Sequence, residues 1–404
     1  MRPVSRFLSF AAVCTAAFLA ACGGGGGDSG GPGPGPGPGG TGILKIGLTD
    51  APACGYDKIE VTVQRVRVHQ SASAADADSG WAELVLAPAR RIDLLTLNNG
   101  QVDELGQTSV PSGRYQQLQL VLLVNSAGTT VNAVTPSATG TSTPLATPAS
   151  SIAGLKVNTT IDVAAGEIAD YVIDFDACKS VVRLGASGPY NLKPVLSVIP
   201  RVNSAGMRVI GYVSTALTPA TTHVSLQSGG VEVKSTPPEA TGRFTLYPVP
   251  AGTYDLVVSN PGRVPAIVTG VVVTNTAHTN VNDAANAIDP PAQGTLRAIQ
   301  GTVTTSTTPI EAMIEIVKKY TNGPDVIVAT APVNGTTGEF VYTVSSGAPV
   351  RAVFSPTMAP LGFTNDPAVP TGKYTVRAIA GGSPKSLDVD VSTGGASNQN
   401  FTFP

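Results

Sequence analysis

The stretch that decides the fold reads IEVTVQ over residues 59–64. Apolar residues occupy every second position there, and Gln117–Leu122 repeats the pattern with leucines against glutamines. A spacing of two places alternate side chains on opposite faces of an extended chain, so both stretches predict half-buried strands. Short β-branched runs bounded by Gly, Pro, Asn and Asp continue to the C-terminus, without a long capped amphipathic helix. The predicted class is all-β, organised as tandem sandwiches.

Composition limits both the size of the fold and its partners. A chain of 404 residues has room for roughly two to four domains. Charged residues make up 13% of the sequence, against roughly 25% in an average soluble protein. With a formal net charge of -2, the chain has no electrostatic field that would gather nucleic acid, and we exclude that partner class.

The first 21 residues are predicted to be a lipoprotein signal peptide. Arg2 and Arg6 give a positive start, and Phe7–Leu19 is an apolar run too short for a stable membrane span. The following Leu-Ala-Ala-Cys22 resembles the lipobox of bacterial lipoproteins, which implies that Cys22 becomes the lipidated N-terminus. More than one acyl chain, palmitate among them, would anchor the protein durably. Because Gly23 rather than aspartate follows, we expect the outer membrane, with the domains facing the periplasm or the surface.

Residues 22–41 are predicted to be the lipidated cysteine and a flexible tether. Residues 23–41 read GGGGGDSGGPGPGPGPGGT and have no apolar side chains to bury. The GDSGG string at residues 27–31 matches serine-hydrolase patterns, but that chemistry needs a rigid oxyanion loop and a placed histidine. A spacer of this composition supplies neither, so we assign Ser29 no catalytic role.

One phrase occurs three times and opens an alternating strand each time. It reads VPSGRY at Val110–Tyr115, VPAGTY at Val249–Tyr254 and VPTGKY at Val369–Tyr374. The Pro-x-Gly step turns the chain tightly, and tyrosine can bury its ring while its hydroxyl stays hydrogen-bonded. We interpret the phrase as structural rather than catalytic.

The last two phrases end longer units with a common order. Gly211–Val213, Val224–Leu226 and Thr241–Leu246 precede the second phrase, and a similar order from Gly301 leads toward the third. This order resembles the carboxypeptidase regulatory-like and Cna B-type domains, which are small prealbumin-like sandwiches. The resemblance implies one sandwich over residues 206–284 and a second, divergent one over residues 295–404, where Val341–Ala368 intervenes.

Residues 42–202 are similar to the domain-of-unknown-function family 4382, which consists mainly of predicted bacterial lipoproteins. The similarity implies a β domain, and the family's unknown biochemical role carries over as unknown. The markers occur in order: Leu44–Leu48, Thr49–Pro52, Ile59–Val63, Val66–His69, Trp81, Ile92–Leu95, Val110–Tyr115, Asp174–Asp176 and Leu192–Val195.

Three acidic residues of this domain are candidate functional residues. Asp50 is suited to capping a turn before Pro52, while Asp174 and Asp176 fall on one face of a predicted strand. Two carboxylates on one face could bind calcium or share a proton in catalysis. No dense Asp-x-Asp-x-Asp-Gly loop is present, so we favour structural hydrogen bonding.

The cysteines left in the mature fold are Cys54 and Cys178. An even pair in an exported protein predicts one disulfide, which would stabilise the chain by on the order of 4 to 5 kcal/mol; two separate buried thiols are the alternative. The histidines His69, His223 and His278 fall in separate predicted domains, so we interpret them as surface or hydrogen-bonded residues rather than a metal or catalytic set.

These patterns favour a non-enzymatic lipoprotein that binds or scaffolds a glycan, polymer or protein, with the membrane as its partner through the anchor. The sequence predicts no catalytic residues, no metal and no cofactor. An accessory factor of an envelope or secreted enzyme is the first alternative. A hydrolase that uses Asp50, Asp174 or Asp176 is the second.

Overall fold

A computed structural model describes residues 39–50, 55–147, 155–185, 188–320, 323–357, 360–365, 369 and 371–404. Strands make up 55% and helices 4% of it, which confirms the all-β class. The predicted signal peptide, Cys22, most of the tether, the GDSGG string and Cys54 lie outside the described residues. None of the helices that the structure describes has the length and hydropathy of a membrane span.

The first half of the fold has twelve strands in two sheets. They are β1 (Thr41–Asp50), β2 (Tyr56–His69), β3 (Ala82–Asp93), β4 (Asp103–Pro111), β5 (Gly113–Leu122), β6 (Ala133–Pro136), β7 (Thr143–Ala146), β8 (Leu155–Val163), β9 (Ile168–Phe175), β10 (Val181–Arg183), β11 (Tyr190–Leu192) and β12 (Leu196–Pro200). The order is β12-β9-β1-β4 in one sheet and β10-β11-β7-β6-β2-β5-β8 in the other, with β3 beside β2. A four-residue helix, α1 (Ala177–Ser180), joins β9 to β10, and a 3-10 turn spans Leu94–Leu97.

The core of this half follows the predicted alternation. Ile59, Val61 and Val63 are fully buried, as are Leu118 and Leu120. The opposite face of β5 differs from the prediction, because its glutamines are buried as well. The loop at residues 71–79 covers them: Gln117 donates to the Ala72 carbonyl at 3.1 Å, and Gln119 donates to the Asp76 carboxylate at 3.0 Å.

The next seven strands are β13 (Val209–Tyr212), β14 (His223–Ser228), β15 (Val231–Thr236), β16 (Arg243–Leu246), β17 (Gly252–Ser259), β18 (Ala266–Val273) and β19 (Thr279–Asn280), with 3-10 turns at Pro219–Thr221 and Ala284–Asn286. A small sheet has the order β16-β13-β19, and β15-β14-β17-β18 form part of a larger sheet. One apolar core includes residues from both sheets, among them Phe244, Leu246 and Leu256.

The last nine strands are β20 (Leu296–Thr304), β21 (Ala312–Lys319), β22 (Asp325–Pro332), β23 (Glu339–Ser345), β24 (Val350–Val353), β25 (Thr364–Asn365), β26 (Lys373–Ala380), β27 (Ser383–Asp390) and β28 (Phe401–Thr402). Two sheets of orders β23-β20-β28 and β22-β21-β26-β27 enclose a third core. β22 is therefore an edge strand, a fact that matters for the cavities described below.

The segment that interrupts the third unit belongs to the sheet of the second. β24 runs parallel to β18, with Ala266 opposite Val350, and β25 extends the same sheet by one more strand. Val350 is buried in the core of the second unit. Within the stretch that weakens the sequence resemblance, the two short strands β24 and β25 thus enlarge a neighbouring sheet.

The three repeated phrases are used in two ways. Tyr115 donates to the Pro111 carbonyl at 2.7 Å, and Tyr254 donates to the Pro250 carbonyl at 2.9 Å. Both bonds close the turn four residues upstream, in agreement with the structural interpretation. Tyr374 instead donates to the carbonyl of Ser345 at 2.6 Å, on another strand.

Candidate functional site

Side chains from distant parts of the chain line one cavity of about 200 Å³, which we call the junction pocket. One wall is α1 and the residue before it, the second comes from the strands and turns of residues 221–265, and the third comes from β22, β23 and β26. Its polar and charged lining includes Asp176, Lys179, Thr221, His223, Glu232, Asn260, Arg263, Thr330, Ser345 and Tyr374.

The chain turns into this pocket where β9 ends at Phe175. Asp176 caps α1 by accepting a hydrogen bond from the Lys179 backbone N–H at 3.0 Å. Capping satisfies a donor at the helix start, which explains why the strand stops here. The prediction that Asp174 and Asp176 share one strand face is therefore wrong, since only Asp174 lies in the strand.

Lys179 connects two carboxylates from different parts of the fold. Its Nζ lies 2.6 Å from Asp176 Oδ2 and 2.9 Å from Glu232 Oε1. Burial by itself would lower the pKa of Lys179, but the charges of Glu232 and Asp176 outweigh it and raise that pKa well above its ordinary value. Lys179 is therefore a permanent cation in this site.

Glu232 is the centre of the charged cluster and its side chain is only 8% exposed. Its Oε2 lies 2.6 Å from His223 Nε2, and Ser235 donates to Oε1 at 3.1 Å. Burial would raise the pKa of Glu232, but Lys179 and His223 more than reverse this and hold the pKa well below its usual range. Glu232 is an ionised carboxylate that contacts Lys179 through one oxygen and His223 through the other.

A second buried ion pair lies close to the pocket. Lys234 Nζ is 2.6 Å from Asp174 Oδ1 and also donates to the Asp50 carbonyl at 3.2 Å. The Asp50 carboxylate accepts from the Ala177 backbone N–H at 2.9 Å. Asp50 thus fixes the start of α1, 127 residues away; the turn that it was predicted to cap, at residues 51–52, lies outside the described residues. Asp174 is therefore held by an ion pair with Lys234.

The structure leaves the remaining candidate residues apart. His69 bonds to the Ser79 carbonyl at 3.0 Å, and His278 is exposed on a different unit. Within the described part of the chain, no group of three or more His, Cys, Asp or Glu is placed to hold a metal ion. Cys178 lines the junction pocket. Its predicted partner Cys54 is outside the described residues, so the disulfide stays a prediction.

Sequence reasoning missed Lys179, Glu232 and Lys234 as a set. Lys179 is more than fifty residues away from Glu232 and Lys234 along the chain, and each of the three resembles an ordinary surface charge when read alone. A signal was present on β15, where Val231, Glu232, Val233 and Lys234 alternate. Strand alternation predicts that the valines are buried and the charged residues exposed. In the structure, Val231 is 61% exposed and Lys234 is only 3% exposed.

Comparison with known proteins gives one family match. Residues 41–194 match the model of Domain of unknown function (DUF4382), so the resemblance predicted for this part of the chain is confirmed. No curated protein sequence matches the chain. The resemblance to regulatory-like and Cna B-type domains stays a prediction.

Three solved structures have a weak likeness to the chain. A cohesin–X-dockerin complex from Acetivibrio cellulolyticus is 24% identical over 22% of this chain and 58% of its own, with a TM-score of 0.18. A putative carbohydrate binding protein from Bacteroides uniformis is 12% identical over 46% of this chain and 100% of its own, with a TM-score of 0.16. A variant of the major pilin subunit of Bacillus cereus is 11% identical over 90% of this chain and 99% of its own, with a TM-score of 0.15.

The chain spans less than two thirds of the length of the cohesin–X-dockerin chain it matches. All three TM-scores are too low to imply a shared arrangement of strands, so the function has to be argued from the site itself.

Proposed function

We propose that this chain is a lipid-anchored lipoprotein of the outer membrane that binds a ligand without transforming it. The observation that carries the proposal is the pairing of charges in the junction pocket. Glu232 is held by Lys179 and His223, and Asp176 is held by Lys179. A general acid or base must exchange its proton during a reaction, whereas these groups neutralise one another.

Rigid joints between the parts of the fold support a binding or scaffold role. The Lys234–Asp174 pair ties β15 to β9. On β14, the Gln227 amide donates to the Ile327 carbonyl at 2.7 Å and accepts from the Ile327 N–H at 2.8 Å. The Gln227 side chain therefore makes the two backbone hydrogen bonds that a neighbouring strand would make with the edge strand β22. Such joints fix the walls of the pocket before a ligand arrives, which lowers the entropy cost of binding.

The same proposal includes the anchor and the domain plan. The lipobox-like sequence before Cys22 supports acylation there, and Gly23 supports delivery to the outer membrane. Two sheets around one core in residues 209–280 suit the regulatory-like sandwich proposed for residues 206–284. The boundaries 42–202, 206–284 and 295–404 and the Cys54–Cys178 disulfide belong to this proposal as well.

Metabolic labelling with a palmitate analogue tests the anchor in a Gram-negative host that expresses the full chain. We expect label and outer-membrane fractionation for the native chain, and neither for Cys22→Ser. Cys14→Ser is the matched control, because that residue would be removed with the signal peptide. A Cys22→Ser chain that stays labelled and membrane-bound would overturn the proposed anchor.

Affinity capture from envelope extracts tests the binding role. A ligand that is retained unaltered through repeated cycles of binding and release is the expected result. Turnover of the captured ligand would contradict it. Stoichiometric recovery of one enzyme, with a change in that enzyme's activity, would favour the accessory-factor alternative.

A further inference from the structure

A second cavity, of about 290 Å³, shares Cys178 and Thr330 with the junction pocket. Its walls come from β10 and the residues after it, from the start of β2, and from the end of β22 with the turn that follows. We call it the Arg183 cleft, after the one charged side chain among the described residues that line it. At about 30 Å³ for each water, it has room for about ten water molecules or one small ring with its substituents.

The positive charge of Arg183 is available to a ligand. Arg183 is exposed at the end of β10, and it forms no ion pair within the part of the chain that the structure describes. Aspartate and glutamate are absent from the described lining of the cleft. Asp176 and Glu232 face the junction pocket instead, where Lys179 and His223 bind them.

Aromatic rings hold the Arg183 guanidinium in place. Arg183 lies opposite Tyr190 in the β10–β11 pair, with its Cζ 5.7 Å from the centre of the Tyr190 ring. The Tyr190 ring in turn packs edge-on against Tyr56, with 6.0 Å between the ring centres. A cation–π contact orients a guanidinium without neutralising it, so Arg183 keeps its full charge.

Asn334 adds a neutral donor to the cleft. Its Oδ1 accepts the backbone N–H groups of Gly185, Thr336 and Thr337 at 3.0, 2.9 and 3.2 Å. Three donors at the oxygen fix the orientation of the amide, so both N–H groups of Nδ2 are left to donate to a ligand.

The hydroxyl of Tyr56 is a second neutral donor. Tyr56 is half-buried, and burial raises the pKa of Tyr56 to about 12, so the hydroxyl keeps its proton at neutral pH. No acceptor for this proton is found among the described residues. The cleft therefore combines one cation with two neutral donors.

This set of donors matches a ligand with one negative charge. The arginine fork can donate two parallel hydrogen bonds to a planar carboxylate. The buried side chains of Val181 and Val333 line the same cleft. A phosphate monoester would bring a second negative charge against these apolar groups without a second cation to pair with it.

The backbone beside the cleft favours a sugar over a peptide. β22 is an edge strand, and its last residue, Pro332, lines the cleft. Proline has no backbone N–H, so an extended peptide cannot complete its hydrogen bonds with the strand edge at this point. A sugar needs no such partner strand.

We propose that the Arg183 cleft binds an acidic sugar, the uronic acid unit of a polysaccharide, through its carboxylate. Arg183 binds the carboxylate, while Asn334 and Tyr56 donate to its oxygens or to the hydroxyls of the same ring. This proposal rests on the non-enzymatic binding role argued above and names the class of ligand.

Calorimetry of the full chain in detergent with glucuronate and glucose is the first test, since the two sugars differ at the carboxylate. We expect glucuronate to bind at least about tenfold more tightly, and salt to weaken its binding. Equal binding of the two sugars, or no binding of glucuronate, would overturn the proposal. Tighter binding of glucose 6-phosphate or of the peptide Gly-Glu-Gly would overturn the assignment to a uronic acid.

Arg183→Gln, with Arg114→Gln as its control, tests the assigned contact. Both substitutions remove an exposed positive charge, but Arg114 lies outside the cleft. We expect both variants to melt near the native temperature, and only Arg183→Gln to lose affinity for glucuronate, by about tenfold. Native affinity in Arg183→Gln would refute the contact.

Asn334→Asp gives a second, nearly isosteric test. The variant keeps an oxygen for the three backbone N–H groups but places a negative charge beside Arg183. We expect it to melt near the native temperature and to lose glucuronate binding by at least about tenfold. Unchanged affinity would show that the sugar binds elsewhere.

The two proposals fail in different ways. If the chain captures a protein from envelope extracts and does not bind glucuronate, the binding role stands and the acidic-sugar proposal is wrong. If the chain turns over a bound uronic acid polymer, the acidic-sugar site stands and the non-enzymatic role is wrong.

Discussion

Lys234 and Asp174 form a buried ion pair between strands β15 and β9, with 2.6 Å between Nζ and Oδ1. The two side chains are only 2% and 10% exposed, so water does not screen the pair. A charge buried in this way is costly unless its partner is present, which makes the pair a strong structural constraint on how the two halves of the fold meet.

Removal of one partner should therefore lower the free energy of unfolding far more than replacement of both partners by apolar residues. We predict that Lys234→Ala lowers the free energy of unfolding by about 3–5 kcal/mol, and that Lys234→Met combined with Asp174→Leu recovers most of the loss. Urea titration followed by circular dichroism measures both values. Arg114→Ala is the control, because Arg114 and Asp162 form an exposed ion pair, and it should leave the midpoint almost unchanged. Equal loss in the single and double variants would contradict this assignment.

Gln227 should be the second sensitive position. Gln227→Leu leaves the N–H and the carbonyl of Ile327 buried without their partner, at a cost of about 2–3 kcal/mol. Hydrogen exchange at the Ile327 amide should also accelerate. Gln300→Leu, on an exposed position of β20, is the matched control. Unchanged protection of Ile327 in Gln227→Leu would mean that this joint does not exist in solution.

Lys318 should make the free energy of unfolding depend on pH in the alkaline range. Its side chain is fully buried, its Nζ donates to the Lys373 carbonyl at 2.6 Å, and burial lowers its pKa to about 8. In the unfolded chain the pKa is about 10.4, so between pH 8 and 10 the unfolded state binds more protons than the folded state. The free energy of unfolding should therefore rise with pH in that window.

Comparison of variants isolates the rise in the free energy of unfolding that we assign to Lys318. We expect it to be absent in Lys318→Met and present in Lys58→Met, which removes an exposed lysine. Urea midpoints at pH 7, 8, 9 and 10 give the comparison. Parallel curves for the native chain and Lys318→Met would show that this amine does not titrate as argued.

The cysteine pair has a simple chemical test. Alkylation of the non-reduced, denatured chain followed by peptide mass spectrometry should leave both Cys54 and Cys178 unlabelled, and prior reduction should expose both. Reduction should lower stability by roughly 4 to 5 kcal/mol in the chain-entropy model. Labelling of either residue before reduction would favour two separate thiols instead.

The alternation of apolar and polar residues predicted the strands well, because it indicates which face of a strand is buried. It failed where a polar face is covered by another part of the chain, as at Gln117 and Gln119 beneath the 71–79 loop. It failed for β24 as well, since no local feature of Val350–Val353 records that this strand joins the sheet of the preceding unit.

The candidate site was harder to predict than the fold. Asp174 and Asp176 were identified as candidates, but their partners Lys234 and Lys179 were not. Ion pairs between distant residues have no fixed spacing, in contrast to strand alternation, so only the folded chain reveals them. The family match over residues 41–194 does not reach Glu232 or Lys234.

We propose that the charges of the junction pocket hold the fold together rather than perform chemistry. A double-mutant cycle on Lys179 and Glu232 tests it most directly, with Glu232→Gln, Lys179→Met and the double variant compared by urea titration at pH 7. We expect Glu232→Gln to lower the free energy of unfolding by about 2 kcal/mol, and the double variant to lose less than the sum of the single losses.

The stabilisation that the double-mutant cycle assigns to Glu232 should decrease as the pH is lowered. Because the folded pKa of Glu232 lies below its ordinary value, its contribution is complete above about pH 4.3 and is lost as the pH falls further. The advantage of the native chain over Glu232→Gln should therefore shrink in acid. If Glu232→Gln is as stable as the native chain at pH 7, the carboxylate is not held for structure and the account is contradicted.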